Sequence, residues 1–227
     1  MSNNKDFKVK NGIQPTSYLE GLGTVVSGSE SYGLAGAKYD SVSFSVSGQE
    51  SSPSGIFFKP DGTKMYIIGT SGDDVNEYDL STAWDVSSAS YLQNFSVAGL
   101  ESGPQDIFFK PDGTKMYIVG SVSDAVYEYS LSIAWDVSTA TYGSVSFSVA
   151  TQTTIPLSLS FKTDGTKMYV AGASVGVHEY DLSTAWDLST STFMQSFGDF
   201  VSTALFFRPD GLKMYTLNSS DIVEEYA

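Results

Sequence analysis

An all-β chain folded as a four-bladed β-propeller, with an extended arm in front of it, is what this sequence predicts. Three observations carry that expectation. The stretch Phe57-Phe58-Lys59-Pro60-Asp61-Gly62-Thr63-Lys64-Met65-Tyr66-Ile67-Ile68-Gly69 returns at Phe108–Gly120, at Phe161–Gly172 with Thr163 for the proline, and at Phe206–Leu217. Its Asp-Gly pairs begin at Asp61, Asp112, Asp164 and Asp210, steps of 51, 52 and 46 residues, and a period near fifty marks a propeller or solenoid. Finally, a segment near the start supplies the strand that the fourth unit lacks.

Residues 1–38 stand outside the repeat. Asp6-Phe7-Lys8-Val9-Lys10-Asn11-Gly12 alternates apolar and basic residues up to an Asn-Gly turn signal, as a short edge strand does. Gly21–Gly36 is rich in Gly and Ser and has too few large apolar side chains to offset its own ordering entropy. The reading adopted is an attachment arm that orders on another protein, with Phe7, Val9 and Ile13 as its apolar contacts.

Residues 39–227 are read as the propeller. In each unit a first strand such as Gly55–Phe58 leads into a Lys-Pro-Asp-Gly-Thr hairpin. There proline presets φ, and glycine takes the positive φ that closes the turn. The second strand, Lys64–Ile68, is apolar on both faces and must be covered on both. The third recurs as Val75–Leu80, Ala125–Leu131, Val177–Leu182 and Ile222–Tyr226. The fourth, clearest at Val145-Ser146-Phe147-Ser148-Val149, alternates strictly and has one wet face. Between the third and fourth lies Leu80-Ser81-Thr82-Ala83-Trp84-Asp85, with counterparts at Trp135 and Trp186. These three tryptophans are expected as packing lids on the blade corners. A set of sugar-stacking rings is the alternative.

The fourth unit stops after its third strand, while Tyr39–Val46 matches Tyr142–Val149 nearly letter for letter. The expectation is that this N-terminal strand pairs with the C-terminal blade and closes the propeller within one chain, removing the free edges. The same edges could instead close between subunits, so a homo-oligomer is the other route.

Composition narrows the function classes. With 12 Lys plus Arg against 26 Asp plus Glu the formal charge is −14, which repels phosphate backbones and argues against nucleic acid. There is no cysteine, hence no disulfide or thiolate chemistry. The first ten residues have no apolar core of a signal peptide, and no run approaches the ~18 apolar residues of a membrane helix.

Candidates for chemistry are few. His178 is the sole histidine, sits in a third strand where the other units have Asn76, Tyr127 and Glu224, and is expected in a surface groove. Asp61, Asp112, Asp164 and Asp210 form a ring by repeat, yet the hairpin already accounts for them. Asp73, Asp124 and Asp221 form a second ring, broken by Val175. Lys59, Lys64, Lys110, Lys115 and Lys213 read as solvated hairpin rims. The expected channel lining is apolar: Ile56-Phe57-Phe58, Ile107-Phe108-Phe109, Leu159-Ser160-Phe161 and Leu205-Phe206-Phe207. Such a lining cannot ligate a hard cation, so no cofactor, metal or catalytic residue is expected.

The Phe-Lys-Pro-Asp-Gly-Thr-Lys-Met-Tyr-Ile units resemble the repeats of lactonase-like and surface-layer propellers, over roughly residues 39–227. That resemblance implies a propeller fold, and for the lactonase members a metal held at the channel by Glu, Asn and Asp. The longer repeat through Glu-Tyr-Asp-Leu-Ser-Thr-Ala-Trp-Asp-Val-Ser looks like those of marine bacteria and their phages. The opening Asp-Phe-Lys-Val-Lys-Asn-Gly-Ile resembles the first residues of tail-fibre type virion proteins. Together these imply a non-enzymatic phage virion component, a capsid- or tail-associated knob, fibre or adaptor held by its arm to other virion proteins. Such a component would be made in the host cytoplasm, and it could contact a host surface glycan. The alternatives are a sugar-lactone-hydrolase-like propeller enzyme and a glycan-binding module.

Overall fold

The computed structural model describes residues 39–173, 176–198, 200–208, 210–218, 220 and 222–226. The expected arm, with Phe7, Val9 and Ile13, lies outside the described residues, as do Val175 and Asp221.

The repeat becomes four antiparallel sheets arranged as a four-bladed β-propeller. The first blade is β1 (Pro53–Phe58), β2 (Lys64–Gly69), β3 (Asp74–Leu80) and β4 (Ala89–Ser96). The second is β5 (Pro104–Phe109), β6 (Lys115–Gly120), β7 (Ala125–Leu131) and β8 (Ala140–Ser148). The third is β9 (Pro156–Phe161), β10 (Lys167–Gly172), β11 (Val177–Leu182) and β12 (Ser191–Phe197). The fourth has three described strands, β13 (Ala204–Phe207), β14 (Met214–Leu217) and β15 (Val223–Tyr226). Each blade is a meander whose strands pair only with their sequence neighbours. The second strands are buried on both faces and the fourth strands are largely exposed, as radial stacking requires.

The hairpin chemistry is the same in every blade. Asp61 Oδ1 accepts from the Thr63 N–H, while Gly62 at φ 72° closes the turn by donating to the Lys59 carbonyl. Salt bridges from Lys59, Lys162 and Arg208 hold Asp61, Asp164 and Asp210 below the ordinary carboxylate range. The glycine has a second duty. The indole of Trp135 lies on Gly113 so closely that a Cβ there would stand 2.4 Å from the ring. Trp135 itself sits at φ 68°, a left-handed conformation uncommon for a bulky residue, and its N–H donates to the Gly113 carbonyl. Asp136 then caps a three-residue 3-10 turn, Val137–Thr139, by accepting from the Ser138 N–H.

Blades join through one repeated interface. Phe57 and Tyr66 of the first blade pack on Phe109 and Trp135 of the second, and the Tyr66 hydroxyl donates to the Trp135 carbonyl. Phe108 and Tyr117 repeat this on Phe161 and Trp186. Buried Glu77 accepts from the Val137 N–H, and Glu128 from the Leu188 N–H. Burial drives the pKa of Tyr66 and Tyr117 well above the ordinary tyrosine value. The lysines expected as solvated rims are partly drawn into this interface. Lys64 and Lys115 are half-buried and pair with Glu77 and Glu128.

The expected sealing strand is a correction. Among the described residues β15 pairs with β14 alone, and residues 42–46 belong to no strand. Phe44 instead packs edge-on against Tyr78, and with Val46 it covers part of the first blade. The reason is geometric. β1 packs on β5, β5 on β9 and β9 on β13, but among the described residues β13 and β1 share no comparable packing, so the described blades form an arc and not a sealed ring.

Candidate functional site

The first strands of all four blades converge on one cavity of about 600 Å³. Its walls are apolar where the sequence placed Ile56–Phe58, Ile107–Phe108, Leu159–Phe161 and Leu205–Phe207. Two carboxylates interrupt them, Asp106 and, at the margin, Asp210. Asp106 lines the cavity, and it was not among the sequence candidates.

The fold fixes Asp106 firmly. Its register partner is Val119, and the repeat-equivalent positions are Gly55, Ser158 and Ala204, opposite Ile68, Ala171 and Leu217. A small residue suits this position because neighbouring first strands crowd it, and a Cβ on Gly55 would meet Asp106 Oδ1 at 2.9 Å. The sequence signal was therefore present. Asp106 is the one charge at a place where the repeat otherwise puts Gly, Ser or Ala.

Around Asp106 a polar chain links three blades. Leu205 N–H donates to Ser158 Oγ (3.1 Å), and Ser158 Oγ donates to Asp106 Oδ2 (2.8 Å). Leu159 N–H donates to the same oxygen and the Ile107 N–H to Oδ1, both at 2.8 Å. Desolvation pushes the Asp106 carboxyl up to about 6, against the pull of these three donors, which stabilise the anion and limit the rise. A carboxyl poised near 6 in a cavity changes protonation close to neutrality, the property asked of a general base.

Three cations share the cavity wall: Lys162, Lys167 and Arg208. Each already has a partner, Asp164 for Lys162, Glu179 and Asp181 for Lys167, and Asp210 for Arg208. They bring N–H donors more than net positive charge. Tyr169 completes this side of the lining, against Phe207.

The sequence-predicted residues lie elsewhere, Asp210 excepted. Asp61, Asp112 and Asp164 close their hairpins, and Asp210 does so at the cavity margin. His178 is not on the surface. It is 1% exposed, its Nδ1 is 2.8 Å from Ser196 Oγ, and its Nε2 has no partner among the described residues. Burial lowers its pKa and keeps it neutral near pH 7. Trp135 and Trp186 are 9% exposed against 59% for Trp84, so two of the three indoles offer no stacking face for a sugar.

No three His, Asp or Glu side chains that could hold a metal ion come together among the described residues. The channel metal that the lactonase resemblance implied does not fit this lining, where Asp106 already accepts three hydrogen bonds and Asp210 is paired with Arg208. No described helix is long and apolar enough to cross a membrane.

No family model matches the chain, and no curated protein sequence matches it. Solved structures do. A candidate 6-phosphogluconolactonase from Bacteroides uniformis is 15% identical with a TM-score of 0.57, over 77% of this chain and 50% of that one. A second, from Bacteroides fragilis, is 15% identical with a TM-score of 0.55, over 75% and 49%. A periplasmic gluconolactonase from Pseudomonas aeruginosa is 16% identical with a TM-score of 0.51, over 76% and 48%. The chain spans about half the length of these structures, and at such identities the likeness shows the fold alone. It corrects the functional expectation all the same. Nothing in the fold or its neighbours points to a phage virion component.

Proposed function

We propose that the axial cavity is a metal-independent site for hydrolysis of a small sugar lactone. The observation that carries this reading is Asp106, a carboxyl pushed up to about 6 on the wall of a largely apolar cavity that also holds Lys162, Lys167 and Arg208. The lactonase names of the structural neighbours support it from outside.

The chemistry balances with one base. Water adds to the ring carbonyl carbon as the Asp106 carboxylate takes its proton. The tetrahedral adduct then collapses, the ring C–O bond breaks, and the proton passes from Asp106 to the departing alkoxide. Lys162 and Arg208 offer N–H donors to the oxygens that gain charge. The product is an open-chain hydroxy acid.

The test is ring opening of glucono-δ-lactone and of its 6-phosphate, followed by base uptake in a pH-stat and corrected for spontaneous hydrolysis. The expected result is turnover above blank that rises with pH through about 6 as Asp106 ionises, and that Asp106→Asn abolishes. Rates equal to blank for both lactones at high protein concentration overturn the reading.

A further inference from the structure

The arc leaves two unlike faces open, and they are the two halves of an interface that the molecule already builds twice. Toward the next blade, the first and second blades present Phe57, Tyr66 and Glu77, then Phe108, Tyr117 and Glu128. The fourth blade presents the same set, Phe206, Tyr215 and Glu225, and among the described residues no further blade packs on it. Phe206 is 52% exposed there, and Glu225 is exposed where Glu77 and Glu128 are buried.

The receiving half sits on the first blade. Inside the arc it consists of a phenylalanine, an indole and a backbone N–H: Phe109, Trp135 and Val137, then Phe161, Trp186 and Leu188. On the first blade these are Phe58, Trp84 and Val86. Among the described residues Phe58 is the one aromatic ring packed on Trp84, whose indole also lies over Gly62 of its own hairpin, and beside Val86 runs an apolar groove of about 360 Å³ lined also by Phe44, Val46, Ile56, Met65 and Ile67.

Residues 42–46 supply the missing strand. Phe44 lies edge-on to Tyr78 as Phe95 does to Tyr129 and Phe147 to Tyr180, so the segment already occupies the place of a preceding blade's fourth strand. Its counterpart Val145–Val149 fixes the register. Val126 faces Phe147 and Glu128 faces Val145, which places Val223 opposite Phe44 and Glu225 opposite Val42.

Among the described residues the two faces of one arc build no such interface, since β13 and β1 lack the packing that joins successive first strands. The alignment of 77% of this chain with 50% of the candidate lactonase from Bacteroides uniformis is compatible with an arc that is half of a wheel. We propose that two copies of this chain close into one eight-bladed wheel about a two-fold axis. The fourth blade of each packs on the first blade of the other, and residues 42–46 pair with β15 of the second copy. Each Tyr215 hydroxyl then donates to the Trp84 carbonyl across the seam, each Glu225 accepts from the Val86 N–H, and each indole covers a Phe206. Both β edges are removed in one step.

The experiment is sedimentation velocity on the full chain at micromolar concentration, together with a cysteine pair in this cysteine-free sequence. The expected mass is twice 24.4 kDa. Phe206→Asp and Trp84→Ala are each expected to give a monomer with the wild-type circular dichroism. Ser43→Cys combined with Glu224→Cys is expected to give a covalent dimer on oxidation, and this arm stands even if Phe206→Asp does not fold. A wild-type monomer across the concentration range overturns the proposal. So does a cysteine pair that oxidises within one chain or not at all.

Discussion

Trp84 and Trp135 share nearly everything that local sequence can set, and their fates differ. Both follow Leu-Ser-x-Ala and precede Asp, both sit near φ 67°, and both donate their N–H to the glycine carbonyl of their own hairpin at 3.0 Å. In both, the following aspartate caps a 3-10 turn. Yet Trp84 is 59% exposed and Trp135 is 9% exposed. The difference is the blade alongside. Phe57 and Tyr66 cover Trp135, whereas no described blade covers Trp84. A repeat fixes a conformation, and a neighbour turns that conformation into stability.

The comparison can be broken most directly by truncating each indole. Trp135→Ala is expected to cost about 3–5 kcal/mol, the range for a buried large aromatic. Trp84→Ala, measured on the monomer by urea denaturation, is expected to cost under about 1 kcal/mol. Equal costs would mean that the first blade is covered as well as the second.

Next in size is the glycine that ends a second strand. A Cβ on Gly120 would stand 2.1 Å from the carboxyl carbon of Glu101. Glu101 is 1% exposed and accepts from the N–H groups of Gly103, Val122 and Ser123. Gly120→Ala is expected to cost about 2–4 kcal/mol by displacing a buried carboxylate from its donors. Gly99→Ala meets nothing within 4 Å and is expected to stay within about 0.5 kcal/mol.

Asp106 gives a smaller effect with a definite sign. Its folded pKa of about 6 lies above the ordinary 3.8, so the fold favours the protonated form. Its contribution is fully present below pH 3.8 and is lost as pH rises through about 6. Discounted for the residue's partial exposure, the swing is about 1–2 kcal/mol. The Tm difference between wild type and Asp106→Asn is expected to shift against wild type between pH 4 and 7. His178 acts the other way. Its lowered pKa makes its contribution present above 6.5 and lost on acidification, but this term is common to both proteins and cancels in the difference. A pH-independent difference would show that Asp106 is not desolvated.

The smallest contrast is a hydroxyl. Tyr66→Phe removes the hydrogen bond to the Trp135 carbonyl and is expected to cost about 1 kcal/mol. Tyr215→Phe on the monomer is expected to change nothing measurable, and to weaken association only in the two-copy wheel. Thermal denaturation of the two variants side by side checks both.

Much of the fold was legible because its determinants are local. The Asp-Gly hairpins, the doubly apolar second strands and the wet fourth strands are each written in a few adjacent residues. The site was less legible. Asp106 falls one residue before the apolar run read as channel lining, and what makes it unusual is its burial together with hydrogen bonds from Ser158 and Leu159, some fifty residues away. His178 was misplaced for a similar reason. Third strands of the first three blades are packed on both faces, so His178 is buried between Val170 and Ser196 of the strands beside it, which only the assembled sheet shows.

By itself the sequence determined the blade: its four-strand order, its hairpins, its tryptophan corner, and that four such units follow one another. Only the tertiary structure decided how far each blade turns from the last, and hence that residues 42–46 lie on the first blade and not beside β15. The physical reason is range. Hairpin and strand preferences act over a few residues of backbone, whereas the turn between blades is set by large rings such as Phe57, Tyr66 and Trp135 wedged between sheets about fifty residues apart.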